Sequence, residues 1–295
     1  MTVLHAERAL VPTVRRVTFD LSKTPLHWAK QDDPMLTHFV NVLHLLLPAG
    51  ERWFLRVFKQ ALPRISDERL RAQVKGFMGQ EGTHASAHVE ALDHMRAHGL
   101  DPSPFVQRIE FIFEKLLSED TAPRTFQGVW LEARLAAVAA IEHYTSVLGQ
   151  WFLDADIWDR IGADPVMLDI IRWHAAEEIE HRAVAFDAYE HVCGNRALRN
   201  AVMGFVAPEF GRIWLRGARF LMENDPTLSQ KERRAVDPWR EWGRLGSQGL
   251  IPRRKEVFVG YVARYLRKDF HPLNEGSTAR AHAYLATSKV VRRAP

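Results

Sequence analysis

The stretch WHAAEEIEHRAVAFD, residues 173–187, decides how the chain is read. Ile171, His174, Glu178, His181 and Ala185 advance by three, four, three and four, the repeat that keeps side chains on one face of an α-helix. A core helix would carry leucine on that stripe. Ionisable groups there are costly unless they are paired, hydrogen-bonded or bound to a metal. The segment therefore demands partners from elsewhere in the chain.

Its Glu-x-x-His motif, Glu178 to His181, recurs once, as Glu81-Gly-Thr-His84. Spacing i, i+3 places a carboxylate and an imidazole one turn apart on one face, within reach of one metal ion. The earlier copy also sits on an apolar stripe, with Val74, Phe77 and Met78 before it and Ala85, Leu92 and Met95 after it. Glu142 interrupts the stripe Leu131, Leu135, Val138, and Glu51 interrupts Leu47, Phe54, Phe58. A lone glutamate on a helix is ordinarily solvated or salt-bridged. In chain order, however, the intruders read Glu, Glu-x-x-His, Glu, Glu-x-x-His on four long helical segments. That is the ligand order of a two-metal site inside a four-helix bundle, where four carboxylates neutralise two divalent ions. Ligation by oxygen and nitrogen alone favours iron or manganese.

Antiparallel helices must also bring their ligands to one height. Glu51 lies about 13 residues before a turn near Arg64 and Glu81 about 17 after it, both roughly 20–25 Å away at the helical rise. Glu142 and Glu178 each lie about 18 residues from the turn near 159–161, again level with each other. The connection 99–122 is long enough to cross over between the two hairpins, as the ferritin-like topology needs.

The expected fold is all-α: a ferritin-like four-helix bundle with additional C-terminal helices. It forms one domain over 1–295, with a bundle core at about 34–192 and a helical extension at about 196–295. Helices are expected at about 34–62 (interrupted near Pro48 and Gly50), from an Asp67 or Ser66 cap to 98, and at 123–154, 165–192, 196–223 and 255–268, with a connector at 105–117. Hydrophobic residues make up 46% of the chain and charged residues 26%, the balance of a soluble globular protein. No apolar run approaches the roughly 18 residues of a membrane span. The opening MTVLHAERALVPTVRRVTFD lacks the apolar core of a secretion signal. The single cysteine, Cys193, excludes an intramolecular disulfide and a thiolate metal cluster, and fits a reducing cytoplasm. From Lys231 onward 15 Lys and Arg face 6 Asp and Glu, a surplus of nine in a chain of net charge +4. Such a surface attracts acidic partners. The cations are dispersed and no nucleic-acid motif accompanies them, so a nucleic-acid binder is not expected.

His174 is the informative extra. It precedes Glu178 by four residues and faces the same way, although the standard four-Glu, two-His site has no histidine there. It is expected as a further ligand, the alternative being a place behind the ligands. His88, one turn after His84, is either a ligand or a hydrogen-bond donor behind one. Glu177 and Glu180 are expected on the surface or behind the ligands, and His94, His98, His143 and His191 as structural.

With these motifs placed, LLLPAGERWFLR, QEGTHASAHVEALDHM, IEHYTSVLGQWFL and WHAAEEIEHRAVAFDAYEHV resemble a bacterial family described as predicted metal-dependent hydrolases, over most of residues 10–270. The ligand pattern is also similar to ferritin-like di-iron oxygenases, and the His174, Glu178, His181 run resembles the p-aminobenzoate N-oxygenase type. That resemblance implies Glu51, Glu81, His84, Glu142, His174, Glu178 and His181 as metal ligands. It implies two iron ions, with manganese or a mixed iron/manganese pair as alternatives. The expected activity is an O2-dependent monooxygenase that hydroxylates or N-oxygenates a small organic substrate, either free or linked to a carrier or coenzyme A. Its pocket is expected along Phe54, Phe58, Phe77, Val138 and Trp151. An acidic electron donor such as a ferredoxin would dock on the basic C-terminal face, and a homodimer is compatible with this scheme. The runner-up is a dinuclear hydrolase, holding zinc, and a ferroxidase comes third.

Overall fold

The computed structural model describes residues 10–292; part of the opening stretch read for a secretion signal lies outside them. A short strand β1 (Arg16–Val17) pairs antiparallel with β2 (Val291–Arg292) and draws the two ends of the described chain together. Everything between them is helix and connection.

Helix α1 (Pro34–Ala61) starts from the Asp33 side chain, which accepts the Leu36 amide, with Pro34 pre-set at the first turn. It runs unbroken through Pro48, where the sequence suggests an interruption. Proline removes one backbone hydrogen bond, but this helix is buried on nearly every face between Met35 and Phe58, and packing outweighs the loss. Helix α2 (Glu68–Ala97) is capped by Asp67, as expected. A short helix α3 (Ser103–Phe111) and a wide π-type turn at Ile112–Leu116 form the crossover. Helix α4 (Gln127–Asp154) follows, then α5 (Pro165–His181), started by Asp164 and Pro165.

The expected single helix over 165–192 is instead two, α5 and α6 (Val184–Val192). No glycine or proline marks the break. Buried Arg182 makes it, donating to the Ile179 carbonyl, to Thr278 Oγ1 and to the Pro272 carbonyl. A long-range anchor thus bends the chain where local propensity would continue. Helix α7 (Arg196–Asn224) packs on both α1 and α4, followed by α8 (Pro238–Ser247) and α9 (Thr278–Leu285), the last lying on α5. The helix expected at 255–268 is shorter, a π-type segment Glu256–Tyr261 leading into Val262–Tyr265.

Helices α1 and α2 form one hairpin, and α4 with α5 and α6 forms the other. Contacts run from α1 to α2, on to α5 and α6, then to α4 and back to α1, which closes a four-helix bundle. Its core is divided. One apolar cluster includes Phe54, Phe58, Phe77 and Leu135; the other includes Leu45, Ala91, Tyr144 and Ile171. The polar stripe lies between them.

Candidate metal centre

Each bundle helix contributes to one buried layer: Glu51 from α1, Glu81 and His84 from α2, Glu142 from α4, and His174, Glu178 and His181 from α5. All seven are buried. His181 Nε2 stands 3.3 Å from Glu81 Oε1, 3.3 Å from Glu142 Oε2 and 3.4 Å from Glu178 Oε1. His84 Nδ1 lies 3.6 Å from Glu81 Oε1 and 3.5 Å from Glu178 Oε1. His174 Nε2 is 2.8 Å from Glu178 Oε1 and 3.7 Å from Glu51 Oε1. The donors fall into overlapping triads, Glu51–His84–His174, Glu81–His84–Glu178 and Glu81–Glu142–His181.

The outward ring nitrogens are all occupied. His84 Nε2 donates to Glu177 Oε2 at 2.9 Å, and Glu177 in turn accepts from Arg15 at 2.8 Å. His181 Nδ1 donates to Gln80 Oε1 at 2.9 Å, and the Gln80 amide donates to Glu180, which Arg15 also holds. His174 Nδ1 meets His88 Nε2 at 2.7 Å, and His88 Nδ1 meets His44 Nδ1 at 2.7 Å. These contacts orient the rings with one nitrogen aimed inward at the carboxylates, the arrangement found around metal-bound imidazoles.

The inner atoms are orphaned. Both oxygens of Glu51, Glu81 and Glu142, one oxygen of Glu178, His84 Nδ1 and His181 Nε2 are buried without a hydrogen-bond partner. Buried polar groups in native proteins are almost always satisfied. So many convergent exceptions at one level of a bundle fit two cations and fit little else. Without a cation, burial followed by repulsion from the other carboxylates pushes Glu51 well above the ordinary range and Glu81 and Glu142 up to about 8. Burial opposes ionisation of Glu178 too, but His181 and His174 hold it well below its usual value. Burial likewise opposes the His181 imidazolium, yet Glu178 and Glu142 raise it. Burial and neighbouring imidazoles keep His88 and His44 neutral, the latter down to about 3.

All seven residues singled out from the sequence therefore meet in one cluster. His88 sits behind it, hydrogen-bonded to His174 and 4.0 Å from the nearest Glu51 oxygen. Glu177 and Glu180 are buried supports rather than surface residues. His94 and His143 bond backbone carbonyls of Thr24 and Tyr261. Sequence reasoning overlooked His44, Gln80 and Arg15. His44 lies two turns before Glu51 on the same stripe and carried a readable signal. Arg15 belongs to an irregular N-terminal segment and reaches α5 only through the fold. In a separate group, His27, His38 and Asp225, Asp225 Oδ2 accepts from both imidazoles and Oδ1 from the Thr227 amide and hydroxyl, while His38 Nδ1 is buried without a hydrogen-bond partner.

On one side the cluster borders a cavity of about 680 Å³ between α1, α4 and α7. Glu178, His174 and His88 are the part of its wall that belongs to the centre; elsewhere the wall is overwhelmingly aliphatic and aromatic, including Leu47, Phe54, Ile141 and Phe210. Of the five residues expected to line a pocket, only Phe54 does so. Phe58, Phe77 and Val138 face the opposite apolar cluster, because the open space lies on the α7 side of the bundle.

The family model described as predicted metal-dependent hydrolase matches residues 13–276, and the chain belongs to that family. No curated protein and no solved structure matches the chain. The family description and the buried Glu/His triads agree on metal dependence.

Proposed function

We propose that the chain is a non-haem di-iron oxygenase that uses O2 to hydroxylate or N-oxygenate an organic substrate, with Glu51, Glu81, His84, Glu142, His174, Glu178 and His181 as ligands. The observation that carries this reading is the apolar cavity opening onto a carboxylate-rich, otherwise buried centre. A bound pair of irons would supply the reduction of O2 and the insertion of one oxygen atom into the substrate, the other leaving as water.

The chain's own residues account for the rest. The aliphatic and aromatic wall binds an apolar group by excluding water and keeps side reactions with solvent down. Glu177, Gln80 and His88 hold the three imidazoles in one orientation. Arg15 braces two of those supports through Glu177 and Glu180. Reducing equivalents come from a donor protein. Lys231, Arg234, Arg240, Arg253, Lys255 and Lys268 are exposed and suit an acidic one. No helix among the described residues is long and apolar enough to cross a membrane.

The family description favours a second reading, a dinuclear hydrolase in which one metal activates water. Where the cavity meets the centre its wall is aliphatic and aromatic, so the scissile group of a phosphate or carboxylate ester finds little to bind there, and the four carboxylates repel an anion at the metals. Anaerobic reduction with dithionite followed by O2 separates the readings. An oxygen-dependent optical change in the wild type, absent in Glu142→Ala, is expected. A colourless zinc protein that cleaves model esters and ignores O2 would overturn the oxygenase.

A further inference from the structure

From the shape and wall of this cavity, and resting on the oxygenase reading of the same site, we infer that the substrate is an amphipathic anion. A carboxylate head sits on Arg134, and a long, unbranched hydrocarbon tail runs along α4 past the metal centre. Residues from Trp130 through Arg134, Ala137, Ile141 and Thr145 to Phe152 line the cavity on one face of α4. Those 23 residues, 22 steps at the helical rise, span about 33 Å, so the lining extends along most of α4. A cavity that follows one helix face over that length accommodates an extended hydrocarbon chain.

Arg134 supplies the head site. It is 3% exposed and belongs to the cavity wall, yet no carboxylate among the described residues pairs with it. Its Nη2 donates to Gln60 Oε1 at 2.6 Å, its Cζ lies 5.9 Å from the Trp130 ring centroid, and its Nε has no partner. Gln60 also donates its amide to exposed Glu119, whose carboxylate acts on Arg134 only from beyond that amide. The other deeply buried arginines are better served. Arg182 bonds several carbonyls and a hydroxyl, and Arg199 has the Glu190 carboxylate and two carbonyls; neither lines the cavity. A guanidinium in the wall of an apolar cavity, with no carboxylate in contact and its Nε unpartnered, suits the carboxylate of an amphipathic ligand.

The placement is also ordered. Trp130 donates to the Ser118 carbonyl and Trp53 to the Leu117 carbonyl, so Arg134 lies at the end of the cavity next to Leu116 and Leu117. Leu116, in the wall beside Leu117, is exposed and marks an opening there. Arg134 precedes Glu142 by eight residues, about 12 Å along the helix. The carboxylate therefore stays near the mouth while a methylene well down the tail faces the centre. Oxidation falls on the hydrocarbon, remote from the head group.

The test is calorimetric binding to the purified full-length protein, with its metal content measured, using dodecanoate, 1-dodecanol and benzoate. Dodecanoate is expected to bind at least tenfold more tightly than dodecanol, and benzoate not at all. Arg134→Met is expected to remove the preference for carboxylate while keeping dodecanol binding, and Arg134→Lys to restore part of it. Equal binding of acid and alcohol, stronger binding of benzoate, or unchanged preference in Arg134→Met would overturn the assignment. Should Arg134→Met fail to fold by circular dichroism, the wild-type comparison of head groups decides alone. Absence of long-chain binding in a protein that still reacts with O2 removes this inference and leaves the oxygenase. Dodecanoate binding in a protein inert to O2 does the reverse.

Discussion

Glu81→Gln is expected to act in opposite directions on the metal-free and the metal-loaded protein. In the metal-free state Glu81 is buried beside Glu178 with two orphaned oxygens, and its pKa rises from 4.5 to about 8. A carboxyl whose folded pKa is raised is protonated more readily in the native than in the unfolded chain. Native stability therefore falls as pH rises from about 4.5 to about 8 and stays low above that. A shift of this size corresponds to at most about 5 kcal/mol at about 1.4 kcal/mol per pH unit. The repulsion is shared with the neighbouring carboxylates, so an uncharged isostere recovers about 2–3 kcal/mol of it. Urea unfolding of chelator-treated protein should thus show Glu81→Gln more stable than wild type by about 2–3 kcal/mol at pH 8.5, and nearly equal to it at pH 5. Without chelator the order reverses, because the variant has lost a ligand. A variant that destabilises the metal-free protein at pH 8.5, or that keeps its full metal content, would refute the reasoning.

Metal reloading at pH 7 should release about four protons per chain, from Glu51, Glu81, Glu142 and His181, since each is held protonated without a cation and must ionise to bind one. A pH indicator in weak buffer reads this, and release of less than one proton contradicts it. Glu177→Gln removes the carboxylate behind His84 without touching a ligand, and should weaken metal binding by about 10–100-fold in chelator competition. Unaltered affinity would show that Glu177 only neutralises Arg15. At Gly149 an added Cβ would lie 2.9 Å from the Ala175 carbonyl oxygen and 3.2 Å from its Cα, so Gly149→Ala pushes α4 from α5 beside the centre. It should cost about 1–3 kcal/mol in thermal unfolding and lower metal content as well; loss of stability with full metal content would mean that the strain stays local.

The helices and the seven-residue cluster were legible because both are local. A carboxylate and an imidazole at i, i+3 share a face whatever surrounds them, and equal distances from two turns set the height. The supporting contacts were not, apart from His44 on the Glu51 stripe. Arg15 is 162 residues from Glu177 in sequence and signals nothing by itself. The break at Arg182 depends on carbonyls at 272 and 273, beyond the reach of propensity. The cavity was misplaced for a related reason. Periodicity shows which face of α4 is apolar, but not whether the neighbour filling it is another bundle helix or the later α7. Val138 fell on the filled side, Ile141 on the open one.

The most direct measurement is metal content of the purified protein by plasma mass spectrometry, wild type beside Glu81→Ala and His181→Ala. The account predicts about two irons per chain in the wild type, falling sharply in both variants while His94→Ala, outside the cluster, retains them. Protein purified without chelator that holds no metal, or variants that keep the wild-type amount, would contradict it.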